Sequence, residues 1–169
     1  QCDCLARSPV CGHVLSVRCA MGGVATVGAV VSPPDNPSCC WRPLADVRGL
    51  AQRLGGRFPH GRLVVDEAYM DFAGDSPEDE ARFSLLASGD IPDNVAIMRT
   101  FSKSYGLAGL RLGYGILPAE LAQYYWRARL PFSVHILAEQ AGSARLPDHP
   151  LPAPPPPCGR AGPPAPPPR

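Results

Sequence analysis

The stretch RLVVDEAY, Arg62 to Tyr69, places three aliphatic residues directly before two carboxylates and a tyrosine. A short continuous apolar run that ends in charge fits a buried parallel strand whose carboxyl end meets solvent or a ligand. Ligands of open α/β sheets bind at that end, so Asp66 and Tyr69 fall where functional residues are expected. Upstream, PLADVRGLAQRL (Pro43 to Leu54) puts Leu44, Val47, Leu50 and Leu54 on one helical face, with Pro43 suited to the first turn and Gly55-Gly56 as the expected stop. Further upstream, VGAVVS (Val27 to Ser32) reads as a strand followed by the turn cluster PPDNPSCC. Downstream, a short helix is expected from Pro77 to Leu86, strands from Asn94 to Phe101 and from Leu110 to Leu117, and helices from Pro118 to Leu130 and from Val134 to Ser143. Strands that alternate with helices predict an α/β layered domain with a mainly parallel sheet.

The two ends read differently from this middle. Residues 1–23 are taken as an irregular Cys/Gly/Arg-rich segment, 24–146 as the α/β domain and 147–169 as a Pro-rich disordered tail. From Leu146 onward lie twelve of the chain's 22 prolines, a composition that supplies few backbone donors for helix or sheet. The last residues contain P-x-x-P-x-R, a pattern that docks on SH3-type grooves, and this supports a rival reading of the chain as a non-enzymatic scaffold. Heavy Pro, Gly, Ala and Arg match a GC-rich gene, and the ends read as out-of-frame translation or a misassigned gene model.

Composition excludes several classes. A formal net charge of +1 with both signs interspersed offers no basic field for nucleic acid. No apolar run reaches the roughly 18 to 20 residues of a membrane span, and no secretory leader is recognisable, which suggests a cytoplasmic protein. The seven cysteines show no paired C-x-x-C repeats with matching histidines, so reduced thiols and no metal are expected; C-x-H at Cys11 and His13 is the one weak metal pattern. His13, His60, His135 and His149 share no catalytic or ligating spacing.

Three strand ends bring polar residues toward one sheet edge: Asn36 after the first, Asp66 with Tyr69 after the second, and Thr100, Ser102 and Lys103 after the third. Hydroxyls at Thr100 and Ser102, glycines at Gly106 and Gly109, and the Arg111 guanidinium supply the short donors, close backbone approach and bidentate cation that a phosphate needs. Lys103 is the only lysine in a chain of fifteen arginines. A carboxylate, an amine and a phosphate cradle together suit a phosphorylated, basic heteroaromatic aldehyde.

The segments SPPDNPS (32–38), VVDEAYMDF (64–72), RTFSKSYGLAGLRLGY (99–114) and RLPFSV (129–134), in this order, resemble the class I/II, fold-type I pyridoxal-phosphate aminotransferases, and among them the histidinol-phosphate aminotransferases. The resemblance implies part of a three-layer α/β/α large domain, with pyridoxal 5'-phosphate as cofactor, an amino donor and a 2-oxo acid as substrates, and a homodimer in the complete protein. It implies that Lys103 condenses with the cofactor's aldehyde and later shuttles a proton, and that a neutral amine does both. Asp66 would pair with the pyridine nitrogen and Tyr69 and Asn36 with the phenolic oxygen, while Thr100, Ser102 and Arg111 would hold the phosphate. Glu67, on the opposite strand face, is expected to be structural, and Arg99 receives no ligand. Another class I aminotransferase or a phosphate-amino-acid decarboxylase would share most of these motifs. The chain departs from the pattern at Cys39, where the family usually has glycine, and lacks the upstream glycine-rich segment, the aromatic residue that stacks on the ring, and the C-terminal arginine that grips the substrate carboxylate.

Overall fold

The computed structural model describes residues 15–21, 24–34, 42–73 and 77–147. Five strands form one sheet: β1 (Leu15–Met21), β2 (Val24–Val31), β3 (Arg62–Asp66), β4 (Val95–Thr100) and β5 (Gly113–Ile116), in that spatial order. The pairs β2–β3 and β3–β4 are parallel, and the outer pairs β1–β2 and β4–β5 are antiparallel. The parallel centre follows from the βα alternation. β5 returns antiparallel because residues 101–112 form turns and a 3-10 turn at Ala108–Leu110 rather than a crossover helix.

Helix α1 (Leu44–Arg57) covers one sheet face. Its buried Val47, Ala51 and Leu54 meet Ala29, Val31, Leu63, Val65, Val95 and Ile97, which alternate along three adjacent strands, and Leu85 joins this cluster. Full burial of each large aliphatic side chain here contributes about 1.5–3 kcal/mol. The predicted stop at Gly55-Gly56 is corrected: α1 runs on to Arg57 and ends at extended Phe58, before Pro59. Proline disfavours helical geometry at the residue before it, and this outweighs the roughly 1 kcal/mol that a helical glycine costs.

Two further readings change. Strand β1 lies inside the segment read as irregular. Its residues Leu15, Val17, Cys19 and Met21 alternate in sequence with Ser16, Arg18 and Ala20. The helix expected over 77–86 is two, α2 (Pro77–Phe83) and α3 (Leu85–Ser88). Ser84 parts them: its backbone is extended, and its hydroxyl accepts the Ala87 N–H at 3.0 Å as the cap of α3.

Helices α4 (Ala119–Ala128) and α5 (Ile136–Arg145) follow β5 as expected. α5 packs on the segment between β4 and β5, with Gly142 buried against Phe101 and Leu112. α4 joins the sheet through the pair Arg62–Glu120 at 3.2 Å. On the face opposite α1, Val64 is half-buried and Met98 is 43% exposed. β3 is therefore packed on one side and more open on the other, rather than buried on both. Among the described residues no helix is long and apolar enough to cross a membrane.

Candidate active site

Parallel pairing of β3 with β4 places Asp66 opposite Met98 and sends both strands out at the same edge. Strand alternation then puts Asp66 and Thr100 on one sheet face, and Glu67 and Arg99 on the other. The Asp66 carboxylate, half-buried, accepts the Ala68 N–H at 3.0 Å and so shapes the turn that leads to Tyr69. Ser32, just past β2, donates to the Asp66 carbonyl at 3.4 Å.

The loop after β4 carries most of the candidate residues. Lys103 is exposed, with Nζ 4.8 Å from the centroid of the Tyr69 ring. The Thr100 hydroxyl accepts the Ser102 N–H at 3.1 Å, and Arg111 Nη1 donates to Ser102 Oγ at 3.4 Å and to the Ala108 carbonyl at 2.8 Å. Arg111 itself adopts φ 52°, a left-handed conformation that folds its side chain back over the loop. Thus Lys103 is brought onto Tyr69 and Ser102 onto Arg111, while the Thr100 hydroxyl binds the backbone of Ser102 and Leu112. Asp66 stands at the same edge, and Asn36 lies outside the described residues, as does Cys39.

Gly106 closes the lysine turn: its φ is +71° and its N–H donates to the Lys103 carbonyl at 3.0 Å, a left-handed conformation that favours glycine.

Behind the loop, on the α1 face, Arg99 is the hub of a polar cluster among the most buried groups of the fold. Its guanidinium donates to Glu67 at 2.8 and 3.0 Å, to Asp71 at 2.9 Å, to Glu80 at 2.8 Å and to Ser84 Oγ at 2.9 Å. Glu67, fully buried, also accepts the Ser84 hydroxyl and the Leu85 N–H, each at 2.8 Å. The structural reading of Glu67 holds, and Arg99 serves the same network. Burial works against charge on Arg99, yet Glu80, Glu67 and Asp71 hold its pKa above the ordinary arginine value. Burial raises the Asp71 pKa, against the lowering effects of Ser104 and Arg99. Ser104, 7% exposed, donates to the other Asp71 carboxylate oxygen in a short hydrogen bond. Asp71 and Ser104 escaped the sequence reading, although each sits in a quoted motif, two residues after Tyr69 and one after Lys103.

A shallow pocket of about 180 Å³ lies by Val95, Ile116 and Pro118 at the opposite end of β4, away from every candidate residue. His60 and His135 are exposed. Among the described residues no group of three or more His, Cys, Asp or Glu could hold a metal ion. Cys11, His13 and His149 lie outside the described residues, as does the Pro-rich tail.

An α/β sheet edge that presents an amine, an aromatic hydroxyl, a carboxylate and a hydroxyl–guanidinium cradle defines a class of small-molecule site, one suited to a carbonyl compound that also carries an anion. The donor set fits pyridoxal 5'-phosphate: an amine for the aldehyde, an acid for the ring nitrogen, and two hydroxyls with a guanidinium for the phosphate.

A family model for aminotransferase class I and II matches residues 19–152, and the chain belongs to that family. A histidinol-phosphate aminotransferase of Nitratidesulfovibrio vulgaris strain DP4 is 55% identical over 123 residues, covering 73% of this chain and 31% of that protein. One from Oleidesulfovibrio alaskensis is 52% identical over 123 residues, 73% of this chain and 30% of that protein. The crystal structure of the Sinorhizobium meliloti histidinol-phosphate aminotransferase in complex with pyridoxal-5'-phosphate superposes with a TM-score of 0.59 at 34% identity, over 72% of this chain and 31% of that one. The chain therefore spans just under a third of the length of the curated relatives it matches.

Proposed function

We propose that the chain carries the cofactor-anchoring part of a pyridoxal 5'-phosphate-dependent aminotransferase, with residues 24–146 as its partial large domain. The observation that carries this reading is the placement of the sole lysine, Lys103, over Tyr69 and next to the Ser102–Arg111 group. Bound there, the cofactor would supply an electron sink that eases loss of a substrate's α-proton.

The chain's own residues then have separate tasks. Lys103 would bind the aldehyde and, once released, would move a proton. Asp66 would pair with the ring nitrogen and favour its protonated form. Tyr69 and Asn36 would hold the phenolic oxygen. Thr100, Ser102 and Arg111 bind the phosphate, Arg111 by charge and the hydroxyls by direction. The substrates that identity to the relatives supports are histidinol phosphate and 2-oxoglutarate, an amino donor and a 2-oxo acid, in a cytoplasmic homodimer of the complete protein.

The test is the first half-reaction. The purified chain, loaded with pyridoxal 5'-phosphate, is mixed with histidinol phosphate and the aminated cofactor is quantified by chromatography. Its appearance, abolished in Lys103→Arg, supports transamination. Cofactor bound to Lys103 with no amino transfer from any donor would refute turnover by this chain.

A further inference from the structure

The lysine loop is tied to the protein at residues on either side of Lys103. Ser102 meets Arg111, while Ser104 turns inward to Asp71. Asp71 lies on the short 3-10 turn Met70–Phe72, directly after Tyr69, whose ring sits against Lys103. One turn therefore touches two successive residues of the loop, stacking on the amine side chain and binding the next hydroxyl. The turn is fixed from behind: Arg99 binds Asp71 and is itself held by Glu67, Glu80 and Ser84. Phe101, buried against Tyr105 and Tyr114, anchors the loop's start.

We propose that Asp71 and Ser104 form a latch that positions Lys103 over Tyr69, so that both are positioning residues for the amine and touch no cofactor themselves. The proposal rests on the reading of Lys103 as the cofactor-binding amine, but the latch can be tested without cofactor. An exposed lysine has much rotamer freedom to lose. A hydrogen bond to a charged group at the adjacent residue restrains the backbone from which that side chain extends.

The single lysine makes the measurement direct. Reductive methylation of the full chain with labelled formaldehyde gives one dimethyl-lysine signal, separable from the terminal amine by its absence in Lys103→Arg. Stacked on Tyr69, those methyls carry a ring-current shift, and Tyr69→Leu sets its zero. Ser104→Ala and Asp71→Ala should each move the signal most of the way to that zero, while Ser104→Thr, which keeps the hydroxyl, should stay with the unsubstituted chain. Circular dichroism and melting establish that the variants fold. A folded Ser104→Ala chain whose lysine signal is unmoved overturns the latch.

A second arm uses pyridoxal 5'-phosphate and borohydride on the unlabelled chain. The Lys103 adduct should form about tenfold more weakly in Ser104→Ala and recover in Ser104→Thr. Equal trapping in all three also overturns the latch, whereas no trapping in the unsubstituted chain refutes the cofactor reading and leaves the shift measurement to decide the latch.

Discussion

Replacing Arg99 by Met removes the one cation among Glu67, Asp71 and Glu80 while keeping an unbranched, apolar side chain on β4. The largest consequence falls on Glu67, which is 0% exposed and would keep only the Ser84 hydroxyl and the Leu85 N–H as partners. Breaking a buried pair from one side costs about 3–5 kcal/mol, because the remaining charge stays buried. Glu80, with a side chain 35% exposed, can turn to water and adds little. For a domain whose total stability is about 5–15 kcal/mol, this is a large fraction. With a urea slope of about 2 kcal/mol per molar, the midpoint followed by circular dichroism should fall by about 1.5–2.5 M. Glu67→Gln in the Arg99→Met background removes the stranded charge while leaving an acceptor for Leu85. The double variant should therefore be more stable than the sum of the single changes predicts, by about 1–3 kcal/mol. A loss below about 1 kcal/mol for Arg99→Met, or simple additivity, would refute the network as a stabilising hub.

Other expectations follow from the same contacts. Ser84→Ala removes both the α3 cap and a donor to buried Glu67 and should cost about 1–3 kcal/mol in chemical denaturation. Asp71, facing Arg99, Ser104, Glu80 and Tyr105, has a pKa raised above 3.8 by burial. Its stabilising contribution is thus complete below that value and lost as pH rises through the raised one, so the stability of Asp71→Asn relative to the unsubstituted chain should increase across that window. Burial likewise raises the phenol pKa of Tyr105 and Tyr114 above 10. Absorbance titration should show two late-ionising tyrosines, and stability should fall as pH climbs through their raised values. Gly61→Ala would set a Cβ 2.8 Å from the Leu54 carbonyl and 3.0 Å from that of Phe58, so melting should show a loss of about 1–3 kcal/mol from overpacking.

The parallel centre of the sheet was legible because the aliphatic runs of β2, β3 and β4 are separated by a long amphipathic helix and by an acidic helical segment, and each run ends in polar residues. Lys103, Tyr69 and the Thr100–Ser102–Arg111 group were legible as chemistry, since each stands in a motif of a resembled family. What escaped depended on tertiary contact. Whether Ser104 faces solvent or Asp71 is decided by the turn at Gly106, and whether Glu67 is a surface acid or a core acid is decided by Arg99, thirty-two positions away in the chain. β1 was hidden because its alternation lies in a segment whose cysteines, glycines and arginines read as irregular. The end of α1 was misread because two glycines look like a stop when the proline beyond them is the stronger signal.

The central claim is that Lys103, Asp66 and Arg111 converge on one phosphorylated aldehyde. Trapping tests it most directly: incubate the chain with pyridoxal 5'-phosphate, reduce with borohydride and locate the added mass by peptide mapping. The label is expected on the Lys103 peptide, lost in Lys103→Arg and reduced in Asp66→Asn and Arg111→Gln, with pyridoxal lacking its phosphate a poorer ligand by a margin that narrows in Arg111→Gln. An unmodified Lys103 peptide, or labelling confined to the terminal amine, would contradict it.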